Sequence, residues 1–467
     1  MSGNLYSLLA SGFPGDRTRH AFRQPGAPAV SYGELEILTA RAAAGLRARG
    51  VAPGDRVALQ VEKSIEAVVI YLATLRIGAV FLPLNAAYTP SEVEYFLKDA
   101  EPAIFIQDAQ AFMAEAGQLE PDPAIEPCSA DELASIIYTS GTTGRSKGAM
   151  LTHGALAANA LALHEAWGFT PDDVLLHALP IFHVHGLFVA LHCAFLSGCP
   201  MVWLNRFEES AVLEGLAGAT VMMGVPTFYT RLLAHPGLTR EATAHMRLFI
   251  SGSAPLLESA FAAFEARTGH RILERYGMSE AVIITSNPLE GERKPGSVGY
   301  PLPGVDLRIG GGEETGDIEI RGPSVFSGYW RMPEKTAEEF TADGFFITGD
   351  VGRRDADGRL WISGRAKDLI ISGGYNVYPK EVELILDELP GVRESAVIGV
   401  PHPDFGEGVV AVVEGQGDEA ALIGVLRGRL AGYKTPKRLV FVETLPRNAM
   451  GKVQKALLRQ TYSGLFS

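Results

Sequence analysis

The spacing of apolar residues divides the early chain into alternating periods. Over residues 32–49, Leu35, Leu38, Ala42 and Leu46 recur near helical spacing, which predicts an amphipathic helix. RVALQV (56–61) reads as a strand, EAVVIYLATLRIG (66–78) as a buried helix, and AVFLPL (79–84) as a second strand. That alternation points to a βαβ unit, because parallel neighbours need a crossover between them. Residues 107–132 break the pattern. QDAQ, GQLEPDPAIEP and SADE are polar and Pro-marked, so a surface connection is expected. An apolar strand follows around Ile136–Tyr138, then a glycine-rich loop, then a helix from about residue 154 to 167. VMMGVP (221–226) and LFISGS (248–253) extend the alternation. Short strands separated by turns, DIEIRG (317–322) and RLWISG (359–364), mark 296–362 as a β subdomain. Beyond Gly364 the pattern restarts with a helix at 379–389 and strands at 395–400, 409–415 and 438–443. The expected class is α/β. A large N-terminal domain (1–364) carries parallel and mixed sheets with helices and a β subdomain, and a small α+β domain (365–467) follows.

Composition narrows the function. The chain has 467 residues, 47% hydrophobic and 20% charged, ordinary values for a globular protein with more than one domain. A formal net charge of −13 argues against nucleic-acid binding or a membrane-surface role, both of which favour basic faces. Cys128, Cys193 and Cys199 lack metal-ligand spacing and read as small buried hydrophobes, not as disulfide partners. The first residues lack a signal-type apolar region, and no run approaches the ~18 apolar residues of a spanning helix. A cytoplasmic protein acting on small molecules is expected, with protein partners undefined.

The candidate chemistry begins at IIYTSGTTGRSKGAMLTH (136–153). Small hydroxyl and glycine residues let backbone N–H groups close around an anion, and Lys147 adds a point charge. Phosphate is the natural ligand. The spacing is not that of a Walker A loop, however, because Gly141 is followed by Gly144, Lys147 and Gly148.

Taken together, YTSGTTGRSKG (138–148), ERYGMSE (274–280), TGD (348–350), GRAKDLIISGGYNVYP (364–379) and PRNAMGK (446–452) resemble the adenylate-forming acyl-CoA synthetase superfamily, in the family's order and over nearly the whole chain. The resemblance implies activation of a carboxylate by ATP with Mg²⁺, release of pyrophosphate, rotation of the small C-terminal domain, and attack by the thiol of CoA. It places Thr139, Ser140, Gly141, Thr142, Thr143, Gly144 and Lys147 around the leaving phosphates. Glu280 is implied as the Mg²⁺ carboxylate, and Ser279 stands at the family's usual Thr position with its hydroxyl kept. Ser253, Ala254, Pro255 and Tyr276 are implied at the adenine, with Glu274 and Gly277 among the ATP-binding residues. Asp350 is implied at the ribose, and Arg365 at the ribose-phosphate region. Lys452 is the lysine that bridges carboxylate and α-phosphate. Lys367 marks the hinge, and Gly373 and Gly374 lie beside the thiol's path.

Within the superfamily, LPIFHVHGLFVA (179–190), ISGSAPL (250–256) and TSNPLEGERKPGSVGYPLPGV (285–305) resemble malonyl-CoA and methylmalonyl-CoA synthetases. The residues agree with that. A pocket for a fatty or aryl acid is apolar, whereas Arg275 directly precedes Tyr276, and a buried guanidinium demands an anionic partner. A second substrate carboxylate is suitable, and so is a protein acid such as neighbouring Glu274. The resemblance puts His183 at the pocket mouth, among the catalytic residues, with Val184 and Met278 crowding the α-carbon. The run YGMSEAVIITSNP departs from the family pattern at Ala281 and Ile284, which bears on malonate against branched malonates. Two alternatives stay open: a ligase for another small acid, and an adenylation enzyme loading a carrier protein. An inactive homologue is disfavoured by the presence of Lys452, Glu280 and Asp350.

Overall fold

The structure, a computed structural model, describes residues 3–139, 146–312, 314–448 and 451–466. The chain packs as two compact units. One comprises Met1–Leu307 with Ile320–Phe346, and the other Arg308–Glu319 with Ile347–Ser467.

In the first unit, the helix Tyr32–Ala48 begins where Ser31 and Glu34 form a reciprocal capping box, and it buries Leu35, Ala42 and Leu46. The helix Ile65–Arg76 is buried almost all round, as its continuous apolar run requires. Strands run in the order Ile104–Ile106, Arg56–Leu59, Val80–Pro83, Leu133–Thr139, Lys147–Thr152. All neighbours are parallel except the last pair, an antiparallel hairpin. A second sheet carries Leu175–His177, Val221–Gly224, Leu248–Ser251 and Leu273–Tyr276 as parallel neighbours, with Thr285–Ser286 antiparallel to the last. The carboxyl ends of such parallel strands are where ligands bind in open α/β sheets. Between them and the helices packs a core containing Leu176, Met222, Tyr229, Phe249, Phe261 and Phe264.

Two expectations need correction. Residues 107–132 are not all surface connection, since Ala109–Ala116 is a helix capped by Asp108 that buries Ala109, Phe112 and Ala116. The glycine loop does not lead straight into a helix either. The return strand Lys147–Thr152 intervenes, and the helix His153–Ala166 starts after it.

In the second unit, Phe346–Arg354 pairs antiparallel with Leu360–Arg365. A further sheet runs Tyr375–Val377, Ile370–Ser372, Gly406–Gly415, Val392–His402, with Arg438–Val442 parallel to Gly406–Gly415. Val382, Leu386, Val397, Ala411, Leu426 and Leu439 form its core. Among the described residues, no helix of either unit is long and apolar enough to cross a membrane.

Candidate active site

The strand Leu273–Tyr276 sorts two neighbouring charges by its alternation, because successive side chains leave on opposite faces. Glu274 turns to one side and accepts from the backbone N–H groups of Leu256 (3.3 Å) and Gly296 (3.2 Å). Burial pushes its carboxyl up to about 7, against the pull of those two donors. Arg275 turns to the other side and is 5% exposed. Among the described residues, its Nε and Nη2 have no hydrogen-bond partner. Burial lowers its pKa to about 9, which leaves it charged at neutral pH. The guanidinium fits because residue 252 is glycine. A Cβ there would lie 2.4 Å from Arg275 Cζ and 2.5 Å from Nε. Glu274 is thus occupied elsewhere, and Arg275 presents buried N–H groups aimed at something that accepts.

Next to this lies a π-helix, His185–Ala190, preceded by His183 and Val184. Val184 is 4% exposed, and His183 and Met278 are half-buried. His185, which no motif singled out, is fully buried. Its Nδ1 stands 3.3 Å from Ser253 Oγ, and its Nε2 is buried without a partner among the described residues. Burial, with the Arg275 charge second, holds this imidazole well below its ordinary pKa, so it is neutral. Ser253 itself has φ +71°, in the left-handed region, as befits a tight turn between strand and nucleotide-side loop. The turn after Tyr276 needs glycine, since a Cβ on Gly277 would sit 1.9 Å from the Val282 carbonyl.

On the phosphate side, Ser140, Gly141, Thr142, Thr143 and Gly144 lie outside the described residues. The antiparallel strands on either side of them pair Thr139 with Lys147. Lys147 is buried, with Nζ 3.1 Å from Glu339 Oε1 and 3.9 Å from the Tyr329 ring centroid. Tyr329 Oη donates to Glu280 Oε1 at 3.1 Å. One aromatic ring therefore links the lysine and the carboxylate that the motifs singled out separately. Sequence reasoning missed Tyr329 and Glu339, whose partners lie 49 and 192 positions away.

In the second unit, Asp350 and Arg365 are opposite one another across the antiparallel pair, and Arg365 Nε reaches Asp350 Oδ1 at 2.8 Å. Asp350 is buried and its N–H is held by Thr348 Oγ1 (3.1 Å). Lys367 lies on a single 3-10 turn, Ala366–Asp368, next to a charge pair between Asp368 and Arg459 (2.7 Å). Gly373 and Gly374, at φ +61° and +82°, form the two-residue turn between Ile370–Ser372 and Tyr375–Val377, the type I′ geometry that demands positive φ twice. Lys452 is exposed on a short loop, where its N–H donates to Asn448 Oδ1 (3.0 Å) and its carbonyl accepts from Asn448 N (2.9 Å). Ala449 and Met450 of its motif lie outside the described residues.

A large α/β unit with Lys147 and Glu280 joined through Tyr329, and a smaller unit carrying Asp350 and Lys452, is what an adenylate-forming enzyme contains. The chain belongs to the AMP-binding enzyme family: residues 10–330 match the AMP-binding enzyme model, and residues 381–452 match the AMP-binding enzyme C-terminal domain. Over its full length it is 51% identical to ATP-bound MatB from Rhodopseudomonas palustris, with a TM-score of 0.95 and 100% of both chains covered. It is also similar to malonate–CoA ligase of Arabidopsis thaliana, 36% identical over 88% of this chain and 79% of that one. Feruloyl-CoA synthase of an Amycolatopsis species is 38% identical, covering 94% and 95% of the two chains.

Proposed function

We propose that this protein ligates malonate, and methylmalonate, to CoA through an acyl-adenylate, releasing pyrophosphate and then AMP. The observation that carries the acid's identity is Arg275, a buried cation whose Nε and Nη2 are unpartnered while the adjacent acid is engaged elsewhere. Leaving such donors unmet is expensive, and a second carboxylate on the substrate meets them bidentately. The names of the malonate–CoA ligase relative and the ATP-bound neighbour support the same reading.

In the first half-reaction one malonate oxygen attacks the α-phosphorus of ATP, and the bond to the β-phosphate bridging oxygen breaks. Lys452 balances charge on the attacking carboxylate and the α-phosphate. Thr139 and Lys147 face the departing pyrophosphate, and Asp350 accepts from the ribose hydroxyls. Among the described residues no cluster of three or more His, Cys, Asp or Glu could hold a metal alone. A single buried carboxylate such as Glu280 suits Mg²⁺, which is commonly held by one or two carboxylates together with substrate phosphates. Glu280 would supply the carboxylate, oriented by Tyr329, and the ion would neutralise phosphate charge. In the second half-reaction the CoA sulfur attacks the acyl carbonyl, AMP leaves with the mixed-anhydride oxygen, and the thiol proton passes to solvent. We assign residues 365–467 as the segment that reorients between the two, with Lys367 as the hinge and Gly373 and Gly374 leaving room for the thiol. The three cysteines, buried and unpaired, support a reducing compartment such as the cytoplasm.

The test is acid-dependent pyrophosphate release with ATP and CoA, using malonate, methylmalonate, ethylmalonate, succinate, acetate, butyrate and ferulate. Malonate and methylmalonate should give the highest kcat/KM. Preference for butyrate or ferulate would sink the dicarboxylate reading. Repeating the thioester step with carrier protein in place of free CoA separates a ligase from a carrier-loading enzyme.

A further inference from the structure

Beside the segment that carries His183, Lys63 is buried without an acidic partner among the described residues. Lys63 Nζ donates to Leu204 O (2.6 Å), His177 O (2.8 Å) and His177 Nδ1 (2.9 Å), and lies 4.0 Å from the Trp203 ring centroid. Three acceptors and a π face match an ammonium with three donors. Burial pushes the lysine's pKa well down. Gly186 O can only accept, so His177 Nε2, 2.9 Å away, carries the ring proton and Nδ1 is left to accept from Lys63.

The bond to Gly186 closes a loop. His177 ends the strand Leu175–His177, and Gly186 is the second residue of the π-helix, so one imidazole staples both ends of residues 178–185. His183, Val184 and His185 lie inside the staple. A Cβ on Gly186 would be 2.1 Å from Pro180 O, so the loop folds tightly against its own end. Its other side borders a cavity of about 340 Å³ lined by Lys63, Ala178, Pro180, Ile181 and Phe182. π-Helical turns are themselves frequent at functional sites.

We propose that Lys63 and His177 are positioning residues for the acid substrate, Lys63 holding the His177 ring by its Nδ1 and backbone carbonyl so that Nε2 pins the 178–185 loop. The inference rests on the reading that His183 and Val184 border the acid. Lys63→Met removes the donor to Nδ1 and to His177 O, frees the ring to turn, and weakens the staple. A displacement of about 1 Å near reacting groups costs up to ~10²-fold, so KM for the acid should rise between about 10- and 100-fold. KM for ATP should change less than about twofold. Should Lys63→Met fold poorly, two half-histidines replace it. His177→Gln keeps a donor toward Gly186, and His177→Asn keeps only an acceptor toward Lys63.

The steady-state constants of wild type and these variants are measured for ATP and for whichever acid wild type activates, alongside Tm. His177→Gln should hold the acid KM within about threefold of wild type, while His177→Asn should raise it as Lys63→Met does. Equal effects of Gln and Asn, parallel rises in the acid and ATP constants, or an unchanged acid KM in folded Lys63→Met would each overturn the proposal. A wild type that activates only monocarboxylates would defeat the malonate assignment and leave this comparison intact.

Discussion

Replacing Arg275 by leucine should make the protein more stable and less selective at once. In the unliganded protein the guanidinium is buried, with two N–H positions unpartnered, so its desolvation is poorly offset. A leucine removes that penalty, and substituting buried ionic groups by apolar ones stabilises by roughly 1–4 kcal/mol in favourable cases. In a protein of this size that corresponds to a rise in Tm of a few degrees. With malonate bound the balance reverses. A buried carboxylate deprived of its cation loses about 3–5 kcal/mol, or roughly two to four powers of ten in kcat/KM. A missing methyl in an apolar pocket changes discrimination by only about 1–3 kcal/mol, so charge should outweigh size in choosing the acid. Two assays decide the matter. Thermal melts without ligand and with malonate should show Arg275→Leu melting above wild type and losing the malonate-induced shift. Rates with malonate and butyrate should show the preference collapsing while KM for ATP holds. Gly252→Ala supplies a second route to the same outcome, because its Cβ would displace the guanidinium without deleting it. Full malonate preference in Arg275→Leu, together with a lowered Tm, would refute the reasoning and make Arg275 a structural residue.

Lys452→Ala should lose malonate-dependent pyrophosphate release by at least ~10²-fold, the scale for one electrostatic stabiliser, while still converting supplied malonyl-adenylate to thioester; a parallel fall in both steps would reject its role. Lys367→Pro, which fixes φ near −65° by its ring, should support one half-reaction and cripple the other, and equal retention in the two separate assays would count against the hinge. Glu274→Gln tests the raised carboxyl. Its folded pKa of about 7 lies above the ordinary 4.5, so its stabilising contribution is complete below pH ~4.5 and is lost as pH rises through ~7. The wild-type Tm should therefore fall relative to the glutamine variant between pH 5 and pH 8, by the equivalent of up to roughly 3 kcal/mol, and a pH-independent gap would show an ordinary carboxylate.

What the chain disclosed in advance depended on the range of the interactions. Helices such as Tyr32–Ala48 and Ile65–Arg76 were legible because capping and periodicity are local. The helix Ala109–Ala116 escaped notice because its buried face is only Ala109, Phe112 and Ala116, set among Gln and Glu in a Pro-flanked polar stretch. The strand Lys147–Thr152 was hidden behind the loop motif that drew attention to it. In the site, Arg275 stood out because it directly precedes Tyr276, beside a pocket that a fatty or aryl acid would require to be apolar. Whether Glu274 paired with it could only be settled by which way each side chain leaves the strand, and by two backbone donors some 18 and 22 residues off. The π-helical winding of His185–Ala190 has no signature in a run that is apolar on every face. Lys63 and His177 meet across 114 positions and look like an unremarkable surface lysine and a strand-end histidine when read singly.

The absent side chain at position 252 also constrains how acid preference can change over time. Arginine at 275 takes its present position because residue 252 is glycine, since a Cβ there would lie 2.4 Å from Cζ and oblige the guanidinium to shift. A lineage that abandons the arginine is released from this requirement, and ordinary drift can then install alanine or serine at 252. Once that has happened, restoring the arginine in a single step returns a guanidinium that must settle in a shifted position. The pair therefore favours one order of change: the arginine can be lost at any step, and its return to the present position calls for glycine at 252. Engineering a monocarboxylate ligase toward malonate should follow the same order, with the glycine placed before the arginine is tried.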